Sequence, residues 1–254
     1  MIVALSGKGG VGKTTLLAVL LDELARRNYS GRVLAVDADP AMTLHLALGL
    51  PEPTATVAQV RETVELDAKT IRSLPPGTTP ADYLLGRLQA AGVLASGRLR
   101  EKEFNLLAMG QGEGPGCYCR VNAALKTVLQ WLITSYDLIL VDNEAGLEHL
   151  SRYRLSRVDL FWVVTTPAPA AQAVARRVLE TAGTVGVKIG ESGLIFNRAT
   201  GSTGPAAAIV PLSQALIDLE GHGQPVVNLP DNDPVRLTLT PLLERLLARE
   251  TVCA

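Results

Sequence analysis

The sequence predicts an α/β fold with a doubly wound, mostly parallel β-sheet flanked by helices, and three observations predict it. Strand-like apolar runs alternate with amphipathic stretches for most of the 254 residues, the order that builds a parallel sheet with ligands at the carboxyl ends of its strands. Hydrophobic residues reach 47% while aromatics are 4%, so the core is built from Ala, Val, Leu and Ile, as strands buried on both faces require. Charged residues are only 19% and mean hydropathy is +0.22, far from a disordered composition. The length suits one domain over residues 1–254.

The first strand is expected at Ile2–Leu5, an apolar run that stops at Gly7-Lys8-Gly9 and does not read as a secretory signal. Thr14–Arg27 follows as an amphipathic helix, then Arg32–Val36 as a second strand. Residues 51–100, rich in Pro, Thr, Gly and charge, read as a helical excursion from the sheet. Alternation resumes with strands at Phe104–Ala108, Asp137–Val141, Leu160–Thr165, Gly193–Phe196 and Val226–Leu229. Helices are expected at Asn122–Thr134, Ala170–Thr184 and Ala207–Leu219. No run approaches the roughly 20 apolar residues of a membrane span. A net charge of -1 and a pI near 6.3 give no general attraction to nucleic acid or anionic lipid, so neither is expected as a partner. Three cysteines are too few and too odd for a disulfide scaffold, which points to the cytoplasm.

Gly7-Lys8-Gly9-Gly10-Val11-Gly12 satisfies the dinucleotide pattern GxGxxG, with Asp37 at the distance of a ribose-binding acid. Extended through Lys13, Thr14 and Thr15 the same residues satisfy GxxxxGK[ST], and a dinucleotide site has no use for the Lys-Thr pair. Binding of a nucleoside triphosphate therefore wins. Gly9, Gly10 and Gly12 let backbone N–H groups around Val11 turn inward as a nest at a helix N-terminus. Lys13 reaches the outer phosphates and Thr14 ligates Mg²⁺.

With Lys8 in place, Gly7 through Thr15 resembles the deviant Walker A of the MinD/ParA class of P-loop ATPases. That resemblance implies ATP and Mg²⁺, and a homodimer in which Lys8 reaches across to the partner's phosphates. It carries further along the chain. Leu34 to Pro40 is similar to the class's switch I, implying that Asp39 orients the attacking water and Asp37 supports the metal shell. Leu138 to Asp142 is similar to its Walker B strand, so Asp142 holds a water of the Mg²⁺ shell, and Asn143 to Gly146 takes the switch II place. Phe196-Asn197-Arg198 resembles the element whose asparagine reads adenine, and the loop containing Pro230 resembles one that closes over the base.

Cys117 and Cys119 follow four glycines and a proline within Gly110 to Gly116, a turn-prone approach to two thiols. Tetrahedral thiolate coordination with bonds of about 2.3 Å sets sulfurs roughly 3.8 Å apart, which a Cys-x-Cys pair meets where the backbone turns. Two thiolates are half a site, and a second copy across a two-fold axis completes it. Together with Gly-Pro-Gly-Cys-Tyr-Cys, Val141 to Leu150 resembles the CooC-type ATPases that mature nickel-containing carbon monoxide dehydrogenase. That resemblance implies Ni²⁺ or Zn²⁺ bound by Cys117 and Cys119 of two subunits, and a nickel carbon monoxide dehydrogenase or related enzyme as client. Two other readings stand beside it: a positioning ATPase of the MinD/ParA kind, whose tail Leu239–Ala248 is a small amphipathic helix, and an electron donor whose paired cysteines share an iron-sulfur cluster.

Overall fold

The computed structural model describes residues 1–64, 68–110, 119–146, 157–184, 186–200 and 205–253. Strands β1 (Ile2–Ser6), β2 (Val33–Ala38), β3 (Leu94–Leu99), β4 (Lys102–Ala108), β5 (Leu138–Asn143), β6 (Arg157–Thr165), β7 (Lys188–Asn197) and β8 (Ala208–Val210) form one sheet in the order β3-β4-β2-β5-β1-β6-β7-β8. All neighbours run parallel except β3 and β4. The aliphatic composition is used as expected. Val3, Leu5, Leu138 and Leu140 point into the core under helices α1 (Lys13–Arg26) and, at the C-terminal end, Pro234–Cys253. Ile2, Ala4, Ile139 and Val141 point to the opposite core, because successive strand residues face opposite sides of the sheet.

Between β2 and β3 lie α2 (Leu44–Leu48), α3 (Val57–Thr63), α4 (Ala68–Ser73) and α5 (Pro80–Ala90). Thr56 and Thr79 start α3 and α5 with reciprocal capping boxes, two orphan donors satisfied at each end. Leu84 and Leu88 of α5 pack in the second core with α6 (Cys119–Ser135) and α7 (Pro169–Ala182). The stretch 51–100 thus carries α3, α4 and α5 and ends in an antiparallel edge strand, β3, that its sequence hides. Leu94–Leu99 alternates weakly and carries Gly97, where an added Cβ would collide with the Phe104 ring across the strand pair.

Two expected elements are corrected. Ala207–Leu219 is not one helix: β8 pairs with β7, Pro211 interrupts, and Ser213 caps α8 (Gln214–Gly221) by accepting from Leu216 N–H at 3.2 Å. Val226–Leu229 is not a strand but a 3-10 turn over Val226–Asn228. It sits between Pro225 and Pro230, and its buried Val226 and Leu229 join the core beneath α1. A four-residue apolar run does not distinguish the two. The last helix is α9 (Pro234–Cys253). Its Leu239, Leu242, Leu243 and Leu246 are buried in the first core, so the apolar side of the tail is not a membrane-facing surface. Among the described residues no helix is long and apolar enough to cross a membrane.

Candidate nucleotide site

The carboxyl ends of β1, β2 and β5 carry the site. Register puts Leu5 beside Asp142 and Asp142 beside Asp37, so the turn after β1 opens with two acids in line on its β5 side. Gly7 is required by close approach: a Cβ there would strike the Val164 carbonyl oxygen of β6. Gly12, at φ 93°, is left-handed, and a side chain on it would collide with the Asn197 amide. Gly12 is also the N-cap of α1 and has no side chain to cap the first turn. The N–H groups there face the loop as anion donors, strengthened by the helix dipole.

Lys13 and Thr14 bring the acids together. Lys13, only 4% exposed, pairs with Asp39 at 3.3 Å. The Thr14 hydroxyl donates to Asp142 Oδ2. Asp37 accepts from Leu44 N–H at 3.0 Å and from Asp39 N–H at 3.3 Å, which turns the chain after β2 into α2. Burial pushes the Asp37 carboxyl up to about 6, against the pull of those two backbone donors and helped by the neighbouring Asp39 charge. Burial pushes Asp142 up to about 7; Thr14 and Lys13 pull it down, Asp37 and Asp39 push it further up. Asp142 Oδ1 is buried with no hydrogen-bond partner among the described residues. Two carboxylates, Asp37 and Asp142, the second with an orphaned oxygen, and the Thr14 hydroxyl alongside are oxygen donors of the kind a hard divalent cation takes. Thr14, Asp37 and Asp142 fit Mg²⁺.

The other residues named from sequence fall as follows. Lys8, Gly9 and Gly10 are exposed at the loop tip, and Val11 is buried beneath it. Val11 N–H reaches back to the Lys8 carbonyl at 3.4 Å. Asn197 is buried at the end of β7, its amide donating to the Val11 carbonyl at 2.8 Å, so it braces the loop from below. Thr15 donates to Glu220 of α8 at 3.1 Å. Pro230 is not brought to the site. Its carbonyl accepts from Arg236 at 3.1 Å and the adjoining Asp231 pairs with Arg26, which puts it at the far end of α1, roughly 20 Å of helix from Lys13. Cys117 and His149 lie outside the described residues, and Cys119 is the first residue of α6, its side chain likewise outside them. Both flanks of that segment do lie at the carboxyl edge. Met109 N–H, just past β4, donates to the Asp37 carbonyl at 2.9 Å. Among the described residues no group of three or more His, Cys, Asp and Glu side chains is arranged to hold a metal ion, so a cation here needs the Thr14 hydroxyl and oxygens from the nucleotide beside Asp37 and Asp142.

Sequence reasoning missed a shallow cleft beside α1, lined by Thr15, Asn197, Arg198, Pro211, Ile217 and Glu220. Its signal was Pro211 directly after a short apolar run and two residues before a capping serine, which the single-helix reading of Ala207–Leu219 concealed. It also missed Ser6, buried at the end of β1 and bonded to the turn after β5.

Comparison with known proteins agrees with this geometry. Residues 2–235 match the family described as the CobQ/CobB/MinD/ParA nucleotide binding domain. An uncharacterized ATP-binding protein of Methanocaldococcus jannaschii is 33% identical over 98% of this chain and 100% of its own length. The carbon monoxide dehydrogenase accessory protein CooC of Rhodospirillum rubrum is 30% identical over 74% of this chain and 71% of its own. In fold, the chain is similar to the septum site-determining protein MinD of Pyrococcus horikoshii complexed with Mg-ADP, with a TM-score of 0.63, 22% identity, and 97% and 96% of the two chains covered.

Proposed function

The chain belongs to the CobQ/CobB/MinD/ParA nucleotide-binding family and is an ATPase, and from that premise we propose that it couples Mg-ATP hydrolysis in a homodimer to the handling of a thiol-bound metal ion. The cargo is Ni²⁺ or Zn²⁺, held by Cys117 and Cys119 of two copies, and the reading makes the protein a cytoplasmic assistant of nickel insertion into a carbon monoxide dehydrogenase. One observation carries it: the Cys-x-Cys segment springs from Met109, whose N–H is bonded to the carbonyl of Asp37, the same residue whose carboxyl belongs to the cation shell. The 30% identity to CooC over 74% of this chain supports the choice of client.

At the nucleotide, the N–H groups of Gly9 to Thr15 and the Lys13 ammonium hold the phosphate oxygens, and the charge that builds on them in transfer is met by Lys13 and by Lys8 of the second copy. The base rests in the cleft between Asn197, Arg198 and Pro211. Mg²⁺, held by Thr14, Asp37 and Asp142, neutralises phosphate charge when bound. Once phosphate draws Lys13 away from Asp39, that carboxylate is free to accept a hydrogen bond from the attacking water and orient it.

Metal analysis of the anaerobically purified dimer tests the reading. One Ni²⁺ or Zn²⁺ per two chains is expected. The Cys117→Ser, Cys119→Ser double variant should lose the metal yet keep basal ATPase activity, and leave the client short of nickel. Full metal binding by that variant sinks the site, and normal client activation by it sinks the function. A brown iron-containing protein would replace the cargo with an iron-sulfur cluster.

A further inference from the structure

The turn after β5 is closed by two side chains that neither the phosphate nor the cation chemistry uses. Gly146 N–H donates to Ser6 Oγ at 2.8 Å, and the Gly146 carbonyl accepts from the Asn143 carboxamide. Ser6 passes its own proton on to the Glu144 carbonyl at 2.6 Å. A hydroxyl has one proton, so its 3.3 Å approach to the Gly146 carbonyl is the weaker alternative. Ser6 is fully buried and Asn143 is 1% exposed. Ser6 is also the residue immediately before Gly7. The Gly146 amide is therefore parked one residue from the phosphate loop, four residues beyond the Asp142 that receives the Thr14 hydroxyl.

We propose that Ser6 and Asn143 form a latch on switch II: they hold the Gly146 amide against the terminal phosphate of ATP and thereby set how strongly the protein prefers ATP over ADP. The competition has a definite sign. A phosphate oxygen is a charged acceptor, roughly twice as strong for an N–H donor as a neutral hydroxyl. The loop and Lys13 take the inner phosphates of either nucleotide, so only the third phosphate extends toward the parked amide. ADP leaves the latch closed. ATP opens it at the cost of one neutral hydrogen bond and of the Asn143 contact to the carbonyl. That cost is kept small by a built-in defect: Asn143 Oδ1 is buried with no hydrogen-bond partner among the described residues, so the latched carboxamide is only half satisfied. Two arrangements of nearly equal energy are what a switch requires. The inference rests on the ATPase activity alone and does not depend on the metal.

The test is the ratio of affinities for a non-hydrolysable ATP analogue and for ADP, measured by calorimetry with Mg²⁺ on the full chain. Ser6→Ala removes the acceptor that competes with phosphate. It should tighten the analogue about fivefold, the worth of one neutral hydrogen bond, and leave ADP unchanged. Asn143→Ala should move the ratio the same way, and the double variant should gain less than the product of the two, because both act on one turn. A purely structural role would weaken both nucleotides together and leave the ratio where it was. The latch stands only if both single variants raise the ratio; an unchanged or lowered ratio in either overturns it. Should Ser6→Ala fail to fold, Asn143→Ala decides alone.

Discussion

Replacing Asp142 with asparagine should make the protein more stable and the enzyme inactive, and the stability gain should grow with pH. Asp142 is completely buried and its carboxyl is pushed from 3.8 up to about 7, chiefly by burial and then by the Asp37 and Asp39 charges. The sign follows from linkage. A carboxyl whose folded value lies above its unfolded one supports folding fully at pH below the unfolded value and loses that support as pH rises through the folded one. Below about pH 4 both states hold the proton. Between about pH 4 and pH 7 the unfolded chain ionises while the folded one does not, at about 1.36 kcal/mol per unit. Asparagine resembles the protonated acid in shape and still accepts from Thr14. Asp142→Asn should therefore gain about 1.6 kcal/mol near pH 5 and up to about 4 kcal/mol near pH 8, less whatever Asp37 recovers by taking the proton itself. At roughly 2–4 °C per kcal/mol for a chain of this size, the melting temperature near pH 8 should rise by about 5–15 °C. Urea unfolding at the two pH values measures the gain, and calorimetry should show Mg-nucleotide binding weakened roughly 10- to 100-fold. A variant less stable than the parent near pH 8, or a gain that does not change with pH, refutes the reasoning.

In the parent protein the same carboxyl must lose its proton to serve a cation, so Mg-nucleotide affinity should fall roughly tenfold between about pH 8 and pH 6, and calorimetry on Asp142→Asn should show most of that slope gone. Lys13→Ala should abolish nucleotide binding, whereas Lys8→Ala should chiefly impair the nucleotide-dependent dimer; sedimentation with a non-hydrolysable analogue separates them, and unchanged dimerisation in the Lys8 variant counts against its reaching a partner. Asp39→Asn should bind ATP but hydrolyse it at least about 100-fold more slowly, because an amide is a poor acceptor for the water proton; if Asp37→Asn is the dead variant instead, the two acids have exchanged roles. Arg236, 2% exposed, pairs with Asp22 and Glu23 at 2.7 Å and bonds the Leu229 carbonyl at 2.8 Å. Arg236→Met leaves Asp22 and Glu23 only their longer pairs with Arg100 at 3.3 Å and Arg26 at 3.5 Å and should cost about 2–3 kcal/mol in urea unfolding, with nucleotide affinity unchanged because the hub lies at the far end of α1.

What was legible in the sequence was what is local in the chain. The loop from Gly7 to Thr15 declares itself because its glycines, lysine and threonine all serve one phosphate group from consecutive positions. Asp37 and Asp142 were legible because each ends an apolar run, and a parallel sheet aligns such ends. What depends on chain return was not legible. The contact between Thr15 and Glu220 spans 205 positions, and no spacing rule predicts it. Pro230 illustrates the opposite error: a proline-containing loop has the right composition for a lid, but its neighbour Asp231 is drawn to Arg26 and Arg236 to the acids of α1, and those charges fix its place. The edge strand β3 was hidden for a third reason. One face of Leu94–Leu99 is open to solvent, so its apolar pattern is diluted, and its pairing with β4 is carried by backbone.

The acids at the carboxyl edge also explain why this site should act as a switch rather than a passive cradle. Asp37, Asp39 and Asp142 repel one another while Lys13 offsets only Asp39 and Asp142 among the described residues, so the described residues do not balance the charge there. A divalent cation and a polyphosphate arriving together correct both defects, since the cation takes the acids and the phosphate takes the lysine. Each contact that must then break is a contact that holds a turn: Lys13 to Asp39 at the end of β2, and Ser6 to Gly146 after β5. The first of these turns begins two residues after Asp37, whose carbonyl accepts from Met109 N–H at the exit of β4. Under the proposed function, movement of the Asp37–Asp39 turn would reach Met109, eight residues before Cys117, through that one backbone hydrogen bond. Metal affinity measured with ADP and with a non-hydrolysable ATP analogue should accordingly differ, and equal affinities would mean that the two sites share a sheet edge without sharing a mechanism.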